Sequence, residues 1–510
     1  TKSVSRTKLA KLCQKHIIFP TVIPQGKYSQ EYGWKYFSIL FPNRIQFLVD
    51  LILFGLQIAF YSAPYHQNEG TQSVSSKLHW CRMVADRSGI MAFGKIPLLI
   101  LFAGRNNFLL YITGWSYNTF LHYHKIVSLW MCVDALIHSV AYTIYCLGHY
   151  VTNLKKTYFA CGIAATVIAF VMCGLAFHTL RKHHYEYFLI GHILLGVGFI
   201  VMCWYHCNAL GSMEWMVAAC AVWFFDRLVR VIRMVGFGYK DATITTVDSE
   251  LIQIVVQRPS WWTTESGQYG YIYFADLLFW QNHPFTLVCK EDKIIGYVKI
   301  KNGHTNRIWK QLTKNGGSMT KKICIEGPYG TIGSGGAKKM DDTLLFAGGS
   351  GAPAIIDAAE YVSMGKLFWV VPTLSMAKAY SYLMKNVKIE TNIYVTKEQG
   401  IDGDYAVSDI FNFESNDQET SADDSTSSED NKSSDKEMAI SASLDSVSIY
   451  YHRPNVEQIL HDEIQQSSET NVGIVGCGPP GMMDALRNTV AKNVDSYDKS
   501  VNFYDELQVW

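Results

Sequence analysis

The chain has 510 residues, enough for about three domains, and 49% of them are hydrophobic against only 17% charged. With 45 basic and 44 acidic side chains its net charge is +1, which gives a nucleic-acid partner no electrostatic footing. Its twelve cysteines are scattered, more than half of them in or beside apolar segments, and no short-spaced disulfide or metal framework appears. Most read as buried small residues; a disulfide between Cys81 and Cys146, on the outward side, stays open.

Residues 1–44 form an N-terminal segment on the cytosolic side and begin with the basic run TKSVSRTKLAKLCQK. Six apolar segments follow within residues 45–236, at about 45–63, 89–104, 120–146, 158–180, 186–207 and 213–235. Asp50 interrupts the first and Lys95 the second, so the later four are the stronger membrane-helix candidates. The N-terminal run, the turn RKHH at 181–184 and the tail DRLVRVIR at 226–233 belong to the cytosol by the positive-inside rule. The third and fifth segments then both run outward, parallel to each other.

His124 and His138 lie on the third segment and His192 and His206 on the fifth, fourteen residues apart in each case. Fourteen residues return to nearly the same helix face about 21 Å further on, most of a hydrocarbon core of about 30 Å. A lone histidine in an apolar helix is more often packed or pore-lining. The same spacing on two parallel helices instead offers two imidazole pairs at two membrane depths, enough to hold two haems by axial ligation. His178 also precedes His192 by fourteen, but the polar RKHHYE between them does not fit one span. His122 has no partner fourteen residues on, and His183 and His184 read as solvated.

From 237 to about 335 the pattern changes to short β-type runs (ATITTVD, LIQIVVQ, YGYIYFA, HPFTLVC, IIGYVKI and KKICIEGPYG), which predict a small antiparallel barrel. From 341 to 510 strands and helices alternate, which predicts an open α/β sheet. Within it, residues 412–436 are rich in Ser, Asp and Glu and nearly devoid of apolar side chains, a composition that predicts a disordered insertion.

His283, Pro284, Phe285 and Thr286 spell HPFT. Alone this is an ordinary turn and strand, but flavin barrels line the isoalloxazine edge with such a hydroxyl and its neighbouring amides. Downstream, Lys299, Gly303 and Thr305 supply a charge, a tight turn and a hydroxyl suited to a pyrophosphate. Gly348, Gly349, Ser350, Gly351 and Pro353 belong to GGSGAP, between the strand TLLFA and a helix, where glycines admit close backbone approach and the helix N-terminus favours phosphate. Cys477, Gly478 and Pro479 in GCGPPGMM repeat that logic at the carboxyl end of a last strand, where open α/β sheets bind ligands. Trp510 is either a plain C-terminal tail or a ring that stacks on a flavin and gives way to nicotinamide.

Together the histidine pairs, DRSGIMAFGKIPLLILFAGRNNF, HPFTL, GPYG, GGSGAP, CGPPGM and the ending ELQVW resemble the fungal ferric/cupric reductase family, in the wider NADPH oxidase superfamily, from Asn43 to Trp510. The resemblance implies a membrane α-helical bundle of six helices holding two haem b groups. A ferredoxin-reductase-like antiparallel β-barrel for FAD and an α/β domain for NADPH would follow. It further implies a plasma-membrane flavocytochrome that passes electrons from cytosolic NADPH through FAD and both haems to extracellular Fe3+ or Cu2+ chelates. In that family the first histidine of each pair holds the inner haem. His124 with His192 would then bind the inner haem and His138 with His206 the outer one, the pairing that the helix directions also give.

GPYG adds Gly327 and Pro328 to the nucleotide-binding set. The arginine that the family carries after the strand KLFWVV is Pro372 here, leaving Arg453 in HRPN to meet the NADPH 2′-phosphate. Family members often have an extracellular N-terminal region and a further helix ahead of the six. The same machinery would serve a superoxide-generating NADPH oxidase with O2 as acceptor; short outward loops favour metal chelates. A catalytically weak membrane scaffold is the reading from another class, and the full set of four histidines stands against it.

Overall fold

The computed structural model describes residues 7–23, 27–30, 32–34, 37–65, 76–176, 181, 184–263, 265–276, 282–301, 303–330, 340–411 and 446–505. His178, His183, Trp510 and the acidic stretch 412–436 lie outside the described residues. The chain divides into two compact units, one up to residue 30 and from 233 onward, the other from 31 to 232.

The long helices α1 (Arg44–Ser62), α2 (Ser76–Ala103), α3 (Tyr117–Tyr145), α4 (Thr157–Leu175), α5 (Tyr185–Asn208) and α6 (Met213–Phe237) match the six segments. Among the described residues, α1, α3, α4 and α5 are long and apolar enough to cross a membrane. The other two carry polar ends: α2 begins with SKLHWCRMVADRS, and α6 ends with the basic run that contains Arg227, Arg230 and Arg233. Local chemistry sets the helix starts. Asn43 and Gln46 form a reciprocal capping box at the head of α1, and the hydroxyl of Ser116 accepts the amide of Thr119 at the head of α3.

In this unit α2 packs along α3, and α4 along α5. Ala92, Leu99, Val127, Met131, Cys132 and Ala169 form one buried cluster, and Ile96, Ala165, Ile200, Cys203 and Met216 belong to another. The two residues that interrupted the apolar pattern are both paired. Lys95 Nζ lies 2.5 Å from the fully buried carboxylate of Asp134, which also accepts from Gln57 Nε2 at 2.5 Å and the Tyr61 hydroxyl at 2.8 Å. Asp50 meets His122 Nε2 at 2.9 Å. A buried ion pair survives in such surroundings only when its remaining lone pairs are satisfied, as they are around Asp134.

The other unit holds the barrel and the α/β domain. Strands β1 (Lys240–Asp248), β2 (Leu251–Gln257), β3 (Tyr269–Phe274), β4 (His283–Lys290), β5 (Lys293–Lys299) and β6 (Ser318–Tyr329) close antiparallel in the order β1-β2-β5-β4-β3-β6. A helix, α7 (His304–Lys314), links β5 to β6. The second sheet contains β7 (Asp342–Gly348), β8 (Gly365–Val371), β9 (Glu390–Val395), β10 (Gly403–Ala406), β11 (Ser446–Tyr450), β12 (Asn471–Cys477) and β13 (Ser500–Asp505). Its order is β10-β11-β9-β8-β7-β12-β13, parallel throughout except at the edge pair β10 and β11. The central strands β7 and β12 are buried along their whole length, as a sheet covered on both faces requires. The covering helices include α8 (Ala352–Ala359), α9 (Val456–Gln466) and α10 (Pro480–Asn493).

The N-terminal residues 7–23 and 27–30 pack on this α/β domain. Lys15 pairs with Asp495 at 2.7 Å, and Asp484 on α10 accepts the amides of Tyr28 and Ser29 at 3.0 and 2.7 Å. All twelve cysteines are free thiols, Cys81 and Cys146 included, so the disulfide left open for that pair is not formed.

Candidate functional site

The helix bundle brings the four histidines together in two couples. His124 faces His192 with ring centres 6.4 Å apart, and His138 faces His206 with ring centres 6.1 Å apart. A metal ion held axially by two imidazoles, about 2.0–2.1 Å from each nitrogen, sets the ring centres roughly 6 Å apart. The ring spacing of both couples is compatible with a shared metal ion.

Each ring is oriented from behind. His124 Nδ1 donates to the Leu99 carbonyl at 2.9 Å, His138 Nδ1 to Ala85 at 2.8 Å, and His206 Nδ1 to Tyr158 at 2.8 Å. Donation from Nδ1 fixes the tautomer and leaves Nε2 with the lone pair that a metal takes. His192 differs: its Nδ1 is buried without a hydrogen-bond partner, and Phe188 lies against its ring at 5.4 Å. Two glycines make room. A Cβ on Gly89 would stand 2.6 Å from His138 Nδ1, and one on Gly162 would stand 2.6 Å from His206 Nδ1. Among the described residues no group of three or more His, Cys, Asp or Glu could hold a metal ion.

In the barrel, HPFT opens β4. Thr286 is buried and pairs in register with Tyr269, while His283, Pro284 and Phe285 remain half-buried. Lys299, at the end of β5, is exposed and forms an ion pair with Glu250 at 3.0 Å. Gly303 takes φ +108° and precedes α7 without any side-chain cap, leaving the first-turn amides open to an anion. Thr305 turns its hydroxyl to the backbone of Lys301 instead, accepting from its amide at 2.9 Å and donating to its carbonyl at 2.8 Å. Gly327 and Pro328 sit within β6, where Gly327 packs on Trp262 and the Pro328 carbonyl accepts from Arg233.

The α/β sheet reverses its winding between β7 and β12, and both glycine loops lie at the carboxyl ends of those strands. Such a switch point opens a crevice for ligands. The loops touch. A Cβ on Gly348 would meet Pro479 at 2.8 Å, and one on Gly351 would meet Cys477 Sγ at 2.3 Å. Neither α8 nor α10 has a side-chain cap, and each carries Pro in its first turn (Pro353 and Pro480), so two helix N-termini present bare amides here. Arg453 is exposed just beyond β11, and Pro372 follows β8.

Three residues without a signal in the sequence join these sites. Lys397, exposed beyond β9, donates its amide to the Pro372 carbonyl at 2.9 Å and stands on the same edge of the sheet as Arg453. His304 is buried in the first turn of α7 against Phe274, with neither ring nitrogen hydrogen-bonded; burial lowers its pKa. Lys290, the last residue of β4, reaches Asp357 on α8 at 3.0 Å and also pairs with Glu360. Strand and helix are thereby tied across the barrel and the sheet.

These features define a class: an integral membrane oxidoreductase with an FAD-binding barrel and a nicotinamide-nucleotide-binding α/β domain. Residues 88–203 match the family described as ferric reductase like transmembrane component, 236–332 an FAD-binding domain family and 340–491 the ferric reductase NAD binding domain. The chain is 32% identical over 529 residues to ferric/cupric reductase transmembrane component 2 of Saccharomyces cerevisiae, covering 99% of this chain and 72% of that protein. It is also 32% identical over 524 residues to ferric/cupric reductase transmembrane component 1 of Candida albicans, covering 98% of this chain and 67% of that one. The chain belongs to the ferric reductase family.

Proposed function

We propose that the protein is a transmembrane NADPH-dependent metalloreductase, carrying electrons from cytosolic NADPH through FAD and two haem b groups to extracellular Fe3+ or Cu2+ chelates at the plasma membrane. The observation that carries this reading is the two facing imidazole couples in one apolar bundle, at 6.4 and 6.1 Å. The relatives' names, ferric and cupric reductases, support the choice of acceptor. The basic N-terminal run, turn and tail support the orientation.

Bound FAD would supply the conversion of a hydride into single electrons, and bound haem a one-electron relay. The chain supplies the rest. His124 and His192 would hold the inner iron and His138 and His206 the outer, with the carbonyls of Leu99, Ala85 and Tyr158 fixing three of the four rings. Thr286 and the open first turn of α7 position the flavin, with Lys299 at the rim. The bare amides of α8 and α10 hold the nucleotide pyrophosphate. Arg453 and Lys397 supply the cationic contact to a 2′-phosphate that Pro372 does not. At the outer face the protein needs no general acid or base, because an electron passing to a chelated metal carries no proton.

The test is anaerobic addition of NADPH to the haem- and flavin-loaded protein, followed by a ferric chelate. Haem bands should appear and then be reoxidised by the chelate, and aerobic ferric reduction should be insensitive to superoxide dismutase. Ferric reduction abolished by the dismutase would assign O2 as the acceptor. Haem that NADPH never reduces would reject the electron path altogether.

A further inference from the structure

The sulfur atoms of Cys132 on α3 and Cys173 on α4 approach to 3.2 Å. Both are free thiols, Cys132 buried and Cys173 partly open, and neither has a part in the function above. Their place in the bundle is particular. The ring orientation of His124 and His138 comes from α2, which packs along α3, and that of His206 from α4, which packs along α5. The histidine cleft thus lies between two helix pairs. Across the seam of α3 and α4 run the thiol pair, a hydroxyl contact from Ser139 to Thr166 at 3.1 Å, and a Cys132 thiol contact to the Ala169 carbonyl at 4.0 Å. Along α3, Cys132 stands about 12 Å from the level of His124 and about 9 Å from that of His138, between the two couples.

We propose that Cys132 and Cys173 form a peroxide-responsive disulfide that staples α3 to α4 and fixes the width of the histidine cleft. Hydrogen peroxide transfers one oxygen to the Cys173 sulfur, giving a sulfenic acid and one water. The Cys132 thiol then attacks that sulfur; the S–S bond forms, the S–O bond breaks and a second water leaves. The two thiols lose two electrons and two protons, and the peroxide takes both. The sulfurs have about 1.2 Å to close from their 3.2 Å contact to a bonding distance of about 2.0 Å. The disulfide stands on the sulfur contact, whereas its effect on the cleft rests on the haem reading.

The full chain in lipid nanodiscs, treated with hydrogen peroxide, denatured, alkylated and digested, should yield a cross-linked peptide joining Cys132 to Cys173. Dithiothreitol should reverse it, and Cys132→Ser and Cys173→Ser should each abolish it. Haem transfer to apomyoglobin should slow several-fold after oxidation, and only when both cysteines are present. Two thiols that remain fully alkylatable after peroxide, or a cross-link from either to a different cysteine, would overturn the proposal, and the wild-type peptide map decides this without any variant. A correct cross-link with unchanged haem transfer would overturn the role in the cleft, and a protein that binds no haem would instead reject the haem reading.

Discussion

Gly162 on α4 leaves the space that the ring of His206 on α5 fills: a Cβ there would lie 2.6 Å from Nδ1 and 2.7 Å from Cε1. The same helix supplies the Tyr158 carbonyl that holds this ring. Gly162→Ala should therefore push His206 off its axis and cost roughly half the haem, the outer share, while the inner couple keeps its bands. Gly174→Ala, on the same helix with nothing within 4 Å of the added carbon, is the control and should keep both. Low-temperature absorbance of the two variants checks this; full haem content in Gly162→Ala would remove the cradle from the account.

The crevice between the glycine loops makes a sharper demand. A Cβ on Gly351 would stand 2.3 Å from Cys477 Sγ and 2.8 Å from the Cys477 carbonyl carbon and oxygen. Backbone atoms cannot be trimmed away, so Cys477→Ala should not rescue Gly351→Ala. The expected result is a KM for NADPH raised about tenfold or more, worth about 1.4 kcal/mol, with flavin and haem content unchanged. An unaltered KM would separate this loop from the nucleotide.

Lys290 links the strand that opens with HPFT to the helix that follows GGSGAP, and its side chain and that of Asp357 are only 9% and 5% exposed. Lys290→Met leaves Asp357 and Glu360 without their cation, a loss expected to cost about 3–5 kcal/mol for a buried pair. Urea unfolding followed by flavin fluorescence should show it. Burial alone would lower the Lys290 pKa, but the two carboxylates hold it above its ordinary value. The share of stability that comes from the Lys290 charge is thus complete below the ordinary lysine value of about 10.4 and is lost as pH rises through the folded value. That alkaline loss should be missing from Lys290→Met.

His304 gives the opposite dependence. Burial lowers its pKa in the folded protein, so the unfolded chain takes up the proton first as pH falls. Stability of the flavin-binding unit should decline below about pH 6.5 and level off once the folded state is also protonated. Thermal unfolding across that range should show the decline in wild type and a flatter profile in His304→Phe.

Much of this architecture was legible from pattern alone. Apolar length located the helices, short β-type runs located the barrel strands, and the fourteen-residue spacing singled out the four histidines that the structure brings face to face. Contacts between residues distant in sequence were not legible. Lys95 and Asp50 looked like interruptions because Asp134 and His122, which pair with them, lie 39 and 72 residues away. The start of α2 was expected near residue 89 and falls at Ser76, since its polar first turns are stabilised by contacts outside the helix. Arg87, for instance, donates to the carbonyls of Phe60, Tyr61 and Pro64 and covers the ring of Tyr65. The edge strand β10 is four residues long and largely exposed, so it has no apolar alternation to read. Thr305 was legible as a hydroxyl next to a turn, but nothing in its neighbours told that the backbone of Lys301 would claim it.

The most direct test of the whole account is haem content measured beside NADPH-driven ferric reduction in wild type and His138→Leu. The wild type should carry two haems per chain and reduce the chelate. The variant should carry one, still pass electrons from NADPH to flavin and inner haem, and reduce no chelate. Full haem content with normal ferric reduction in His138→Leu would contradict the paired-histidine electron path.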